Sequence, residues 1–389
     1  MIPRFKPKLG WSEFAALFKL NRGAVRTFEA EFAKVFQAVD AISFPYGRSA
    51  QWAFFNALDM DNSEIIMPAY TCSVVAHAVS LSDNTPVFID LKEDDFNMDL
   101  DLVENAITDK TRCIIATHTF GYPQDIDRLE KIVREAENTH GHKIWLMQDC
   151  CHAFGAEWNG KMIGTSGDVA VYAFNISKLM TSIFGGMLTF QDQELASKVR
   201  KWRNEHYKKP GVLKGLKRRL YLLAIYVAFH PFVYRFTYWL QERTPFLNRH
   251  TKSFHLDGKI HFPPDYLVGM SNVEAGVGLV QLKKYLKIIE DRRELAVWYD
   301  KNIEREEGWV FPPLREGATY SHYVVQVPNR KEVIDEYASR GIQLGELIQY
   351  SIPQLTEYTW CHCNSKNTDR MTKINMNIPI HNSQIKKSL

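Results

Sequence analysis

Between Ile65 and Phe190 the chain alternates short apolar runs with longer stretches of helical periodicity. The runs are Ile65–Met67, Pro86–Ile89, Cys113–Ala116, Ile144–Met147, Val169–Tyr172 and Met187–Phe190. Each has strand length. Strand-length runs separated by amphipathic helices predict βα units, hence an α/β domain with a mostly parallel sheet covered by helices on both faces. In such sheets ligands sit beyond the carboxyl ends of the strands. The polar residues that follow the runs are therefore the first places to look for chemistry: Asp90, Thr117-His118, Asp149 and Asn175 to Lys178.

Beyond Arg203 the pattern changes. Leu213 to Phe229 and Phe232 to Leu240 read as a hydrophobic, helical insertion interrupted at His230-Pro231. A long amphipathic helix is predicted near Ser271 to Tyr299, then a strand at Tyr323 to Val327 and a helix at Lys331 to Ser339. This gives three parts: a large α/β domain over 1–205, the insertion over 206–265, and the long helix with a small α+β domain over 266–389. There is no internal repeat and no low-complexity segment.

Composition adds little to that picture: 389 residues, 45% hydrophobic and 24% charged, describe an ordinary folded protein. A net charge of +3 does not argue for nucleic acid as a partner, and the basic residues concentrate between Lys208 and Arg219. The six cysteines form no paired zinc motif, and Cys361-His362-Cys363 is too tight for a knuckle. They read as reduced thiols, and no metal site is expected. Met1 to Leu20 mixes Arg4, Lys6, Lys8 and Glu13 into its apolar residues, so it lacks the apolar core of a signal peptide. A cytoplasmic protein is expected.

Two strand-end residues carry the chemistry. Asp149 follows the run Ile144 to Met147, and Lys178 follows Val169 to Phe174, one βα step later, ahead of Gly185-Gly186. Singly, such an aspartate reads as a helix cap and such a lysine as a solvated loop residue. Together they match pyridoxal 5'-phosphate (PLP), which needs a lysine for its imine and a carboxylate to keep its pyridine nitrogen protonated.

Around these residues the chain resembles the DegT/DnrJ/StrS sugar aminotransferases, PLP enzymes of fold type I, from about Val25 to the C-terminus apart from the insertion. The resemblance rests on Phe28-Glu29-x-x-Phe32-Ala33, Tyr46-Gly47-Arg48-Ser49-Ala50, Pro68-Ala69-Tyr70-Thr71-Cys72 and His118 to Asp127. It continues through Gln148-Asp149-Cys150-Cys151-His152-Ala153-Phe154-Gly155, the lysine segment, and Met270-Ser271-Asn272-x-Glu274 to Leu282. Each motif is weak, but their order and spacing are specific. By this resemblance Lys178 is the imine lysine, Asp149 the pyridinium partner, and His152 the residue set against the ring hydroxyl. The Gly47-Arg48-Ser49 turn opens a helix to about Leu58, where free N–H groups can hold the cofactor phosphate.

Departures fall mainly on the substrate side. Ala173 replaces a phosphate-binding serine, leaving Ser177 as a substitute. Cys72 stands where an aromatic stacks on the ring, so that role passes to Tyr70, to another group, or to the thiol itself. Phe184 replaces an acid, Tyr266 to Gly269 lacks the Asn and Arg that reach a neighbouring subunit, and Gln343 to Tyr350 lacks a sugar-side histidine.

The expected activity is amino transfer from a donor, glutamate by the resemblance, to a nucleotide- or lipid-linked keto-sugar in surface polysaccharide or glycan biosynthesis, by a homodimer. Deoxysugar dehydration is a second reading, but relatives with that activity replace the lysine with histidine. A third is a non-catalytic partner at the membrane surface. The segment 213–240 is too short and broken for a span of about 20 apolar residues. Its basic cluster and aromatics suit either a hairpin in a membrane interface or a helix pair packed within the protein.

Overall fold

The computed structural model describes residues 1–19, 22–243, 258–361, 363–381 and 386. All six apolar runs become strands of one seven-stranded sheet. Its members are β1 (Asp40–Phe44), β2 (Glu64–Pro68), β3 (Thr85–Ile89), β4 (Thr111–Thr117) and β5 (Trp145–Asp149). After a small hairpin of β6 (Glu157–Trp158) and β7 (Lys161–Met162) come β8 (Val169–Ala173) and β9 (Gly186–Phe190). The order is β1-β9-β8-β5-β4-β2-β3, with β9 antiparallel to both neighbours and the remaining pairs parallel. The carboxyl ends of six strands and the start of β9 therefore share one edge. The sequence reading missed β1, whose only partner, β9, comes last in sequence among the strands of this sheet.

Period-two alternation divides the core. Ile65, Met67, Ile115, Val171 and Leu188 pack under helices Gly47–Ala57, Ser73–Ser80 and Gln193–His206. Their neighbours Ile66 and Ile114 meet helix Ile126–His140, while Ala170, Tyr172 and Met187 meet Phe28 and Phe32 of helix Ala24–Val35. Burying both faces is what makes the strands read as continuous apolar runs. A smaller unit pairs β10 (Tyr323–Gln326) with β11 (Asn375–Ile378), and Ile2 bridges to Ile342 beside it. The long helix predicted from Ser271 is two: Asn272–Leu282, opened by a Ser271–Glu274 capping box, and Tyr285–Asn302. Between them the Lys284 N–H bonds to the Gln281 carbonyl at 2.9 Å in a tightened turn.

The insertion forms helices Val212–Ala228 and Pro231–Arg243, bent by 102°. Among the described residues no single helix is long and apolar enough to cross a membrane; this bent pair passes that test by length and composition only when taken together. Leu222 and Ile225 pack with Leu17, Ile183, Val273 and Val277. Two of the basic residues turn inward. Lys214 Nζ donates to the Val268 and Gly269 carbonyls (2.7 and 3.0 Å), and Arg218 pairs with Glu274 (2.7 Å) and Asp265 (2.8 Å). The outer side leaves Leu213, Leu216, Leu220 and Val227 exposed at helical spacing, followed by Phe232, Phe236 and Trp239.

Candidate active site

The shared edge of the sheet opens into a cavity of about 480 Å³. Its wall brings together Lys178, Asp149, His152, Gly47, Arg48, Ser177 and Cys72, from four separate segments of the chain. Register explains the convergence: Thr117 pairs with Asp149 and Asp149 with Val171, while Ala173 and Phe44 both pair with Gly186. Two of the predicted residues do not line the cavity. Tyr70 is fully buried, its hydroxyl accepting from Asn375 Nδ2 at 2.8 Å, and it meets Phe120 edge-on instead of facing a ligand. Ser49 is also fully buried, and its Oγ has no partner among the described residues.

Other strand-end candidates have structural duties. Asp90 accepts the Asn367 and Thr368 N–H groups at 2.8 Å each, at the start of helix Lys366–Ile374. His118 is fully buried; its Nδ1 accepts the Gln124 N–H (3.0 Å), so Nε2 carries the hydrogen toward Gln148 Oε1 (3.1 Å). Burial pushes its imidazole down to about 4.

Lys178 sits in a pinned loop. Asn175 Oδ1 accepts from Ser177 N–H and Oγ (3.1 and 2.6 Å), an Asx-type turn that engages the Ser177 hydroxyl, and the Lys178 N–H returns to the Asn175 carbonyl at 3.1 Å. Farther on, Thr181 Oγ1 and Ser182 N both bond to the Phe174 carbonyl (2.9 and 3.0 Å). Between them and Gly185, fully buried Ile183 has φ +77°, an uncommon conformation for a β-branched residue that the surrounding bonds hold in place. Asp149 Oδ1 accepts the Cys151 N–H at 3.0 Å, and the residue is 4% exposed. The turn into helix Gly47–Ala57 lies so close to β9 that a Cβ on Gly186 would stand 2.4 Å from the Tyr46 carbonyl oxygen; one on Gly47 would meet Ala173 Cβ at 2.9 Å. Glycine at both positions lets the helix start reach the cavity with its N–H groups.

His152 lies near Phe120 (6.1 Å between ring centres, 11° between planes) and 5.3 Å from His322. Burial, then the charge of Lys178 and the proximity of His322, holds the His152 imidazole well below its ordinary value. Its Nδ1 is buried without a partner among the described residues, so a ligand would supply one. His322 was not singled out from sequence, although it also lines the cavity. Burial, Arg292, Lys178 and Arg4 all favour its neutral form. Arg292 positions it by donating to the Tyr320 and Ser321 carbonyls at 3.1 and 2.5 Å. The one sequence cue was a histidine standing immediately before the strand Tyr323 to Val327.

At the divergent positions, Cys72 lies beside the Tyr350 hydroxyl, which accepts the Ser73 N–H at 3.0 Å. Phe184 carries the Arg218 guanidinium over its ring at 4.4 Å, so the insertion braces the cavity wall. All six cysteines are free, and no cluster of metal-ligating residues occurs among the described residues. An orphaned histidine nitrogen, a helix start, a lysine and an aspartate lining one cavity fit a phosphorylated pyridine aldehyde.

The family model of the DegT/DnrJ/EryC1/StrS aminotransferase family matches residues 18–221 and 241–388, leaving out the middle of the insertion. The chain is 27% identical over 367 residues to the dTDP-4-dehydro-2,3,6-trideoxy-D-glucose 4-aminotransferase of Saccharopolyspora spinosa, covering 91% of this chain and 85% of that protein. It is 26% identical over 280 residues to the GDP-perosamine synthase of Escherichia coli O157:H7, covering 72% and 63%. Helicobacter pylori PseC, an aminotransferase involved in the biosynthesis of pseudoaminic acid, shares the fold with a TM-score of 0.75 at 18% identity, over 98% of this chain and 95% of that one. The chain belongs to the DegT/DnrJ/EryC1/StrS aminotransferase family.

Proposed function

We propose that this PLP-dependent sugar aminotransferase works through Lys178 and Asp149, taking its amino group from glutamate and passing it to a nucleotide- or lipid-linked keto-sugar. The observation that carries this reading is the meeting of the two residues in one cavity with His152 and the Gly47-Arg48 turn. PLP, when bound, supplies an electron-withdrawing ring that eases proton loss from the carbon bearing the amino group. Lys178 Nζ would hold the cofactor's aldehyde carbon and, when free of it, would move a proton at the substrate carbon. Asp149 would hold a proton on the ring nitrogen, and neutral His152 would meet the ring hydroxyl without adding charge. The N–H groups of the helix start, with Arg48, hold the phosphate. Incubation with 15N-labelled glutamate and a panel of keto-sugars, read by mass, tests the reading; no labelled aminosugar from any acceptor would count against it.

The proposal places the enzyme in the cytoplasm, with the outer face of the insertion resting on an anionic membrane surface. Residues 207–243 hold eight lysines and arginines against one glutamate, beside the exposed apolar stripe. That combination suits anionic headgroups over lipid better than a neutral protein surface. Lys209, Lys217 and Arg235 are exposed. Near an anionic surface each contributes about 1 kcal/mol, so neutralising all three should weaken vesicle binding by about two orders of magnitude. A wild type that does not co-sediment with anionic vesicles at low salt would remove this part. A homodimer is proposed on the family resemblance, and light scattering showing only monomer would remove it.

A further inference from the structure

We propose that Arg4 forms an anion subsite in the active-site cavity, taking the carboxylate of the amino donor or a phosphate of the acceptor. The inference rests on the cavity being the aminotransferase site proposed above. The lysines, arginines and carboxylates lining the cavity are Arg4, Arg48, Lys178, Asp149 and Glu346. Glu346 is engaged by Arg330 at 3.0 Å. Lys178, Asp149 and Arg48 are assigned to the cofactor. Arg4 is left over, and its guanidinium makes no ion pair and no side-chain hydrogen bond among the described residues. An uncompensated guanidinium in a partly enclosed cavity presents a planar fork of donors suited to a carboxylate or phosphate.

The segment that carries Arg4 is built into the fold. The Ile2 N–H bonds to the Gly341 carbonyl (2.8 Å), the Gln343 N–H returns to Ile2 (2.9 Å), and His381 Nε2 donates to the Pro3 carbonyl (2.7 Å). The Arg4 N–H itself donates to Gln343 Oε1 at 3.1 Å. Room for the side chain is reserved by Gly345, where a Cβ would stand 2.9 Å from Arg4 Cδ. The insertion braces the same segment from behind: Phe229 meets Phe5 at 5.5 Å, the Tyr226 hydroxyl donates to the Gly10 carbonyl (2.7 Å), and the Tyr234 hydroxyl donates to Gln343 Oε1 (2.5 Å). The two extra helices thus fix a cation beside the reacting centre. Arg4 adds to the charges that keep His322 neutral, which leaves the arginine as the permanent charge of that wall.

The test is calorimetric titration of the PLP-loaded protein with two unreactive probes. Glutarate stands for the donor and inorganic pyrophosphate for the acceptor. Wild type should bind at least one of them, Arg4→Gln should weaken that binding about 10- to 100-fold, and Arg4→Lys should recover part of it, because a point charge keeps the attraction but loses the fork. Response to glutarate alone assigns the donor carboxylate, and response to pyrophosphate alone assigns the acceptor phosphate. Response to both assigns one subsite used in turn by each. An unchanged visible absorbance of the bound cofactor in Arg4→Gln verifies that the variant is folded and loaded. Binding by Arg4→Gln within twofold of wild type for both probes overturns the inference, as does a wild type that binds neither. The aminotransferase reading fails separately, by loss of cofactor attachment at Lys178, which the titration does not measure.

Discussion

Arg218 makes a quantitative prediction about how the insertion is attached. Its Nε pairs at 2.7 Å with Glu274, which is fully buried; its NH2 reaches Asp265 at 2.8 Å and the Tyr46 hydroxyl at 3.2 Å. In Arg218→Ala the Glu274 carboxylate loses its ion-pair partner while Oε2 still accepts the Ser271 N–H at 2.7 Å. Removing one partner of a buried pair costs about 3–5 kcal/mol. Asp265 is partly exposed and adds no more than about 1 kcal/mol. The lost contact over Phe184 adds roughly 1 kcal/mol, and because these terms share one side chain they do not sum. A net loss of about 4 kcal/mol is expected. At about 2.1 cal/mol/K per residue of unfolding entropy, a chain of this length should melt roughly 5 °C lower. Scanning calorimetry on wild type, Arg218→Ala and Lys217→Ala measures it, the last being an exposed control expected within about 0.5 kcal/mol of wild type. If Arg218→Ala and Lys217→Ala melt together, the buried pair does not hold the insertion and the reasoning fails.

Two further expectations follow from the same geometry. Asp149→Asn should retain the cofactor yet slow amino transfer by orders of magnitude, since a neutral amide cannot hold the proton on the ring nitrogen; stopped-flow rates within a few fold of wild type would show that another group does so. His77, His118 and His381 are each pushed down to about 4, mainly by burial, so between about pH 6.5 and 4 the unfolded chain binds protons that the folded one does not. Stability is therefore full above pH 6.5 and falls as pH drops, by up to about 3 kcal/mol per histidine, and urea midpoints that stay flat from pH 7 to 5 would contradict this.

The strand runs were legible because buried parallel strands combine an unmistakable length with a continuous apolar pattern, and Asp149 and Lys178 were legible because each ends such a run. β1 was not, since five residues with a serine at the fourth position carry little signal until β9 pairs with them. His322 was hidden because its place depends on Arg292 holding the two preceding carbonyls, a contact across distant sequence. Asp90 and His118 had the right position and the wrong partners: one is consumed by a helix start, the other by Gln148. In the insertion, Lys214 and Arg218 look like Lys217 in sequence, yet burial makes the first two structural and leaves the third on the surface. Both sides of that helix are apolar, so periodicity alone did not tell its packed face from its exposed one.

Lys178 is the residue on which cofactor attachment and amino transfer both depend in the proposed mechanism. Borohydride reduction of the PLP-loaded protein followed by peptide mapping should find the pyridoxyl label on Lys178 alone, and treatment with glutamate before reduction should remove it. A label on another lysine, or one on Lys178 that glutamate leaves unchanged, would contradict the proposed mechanism.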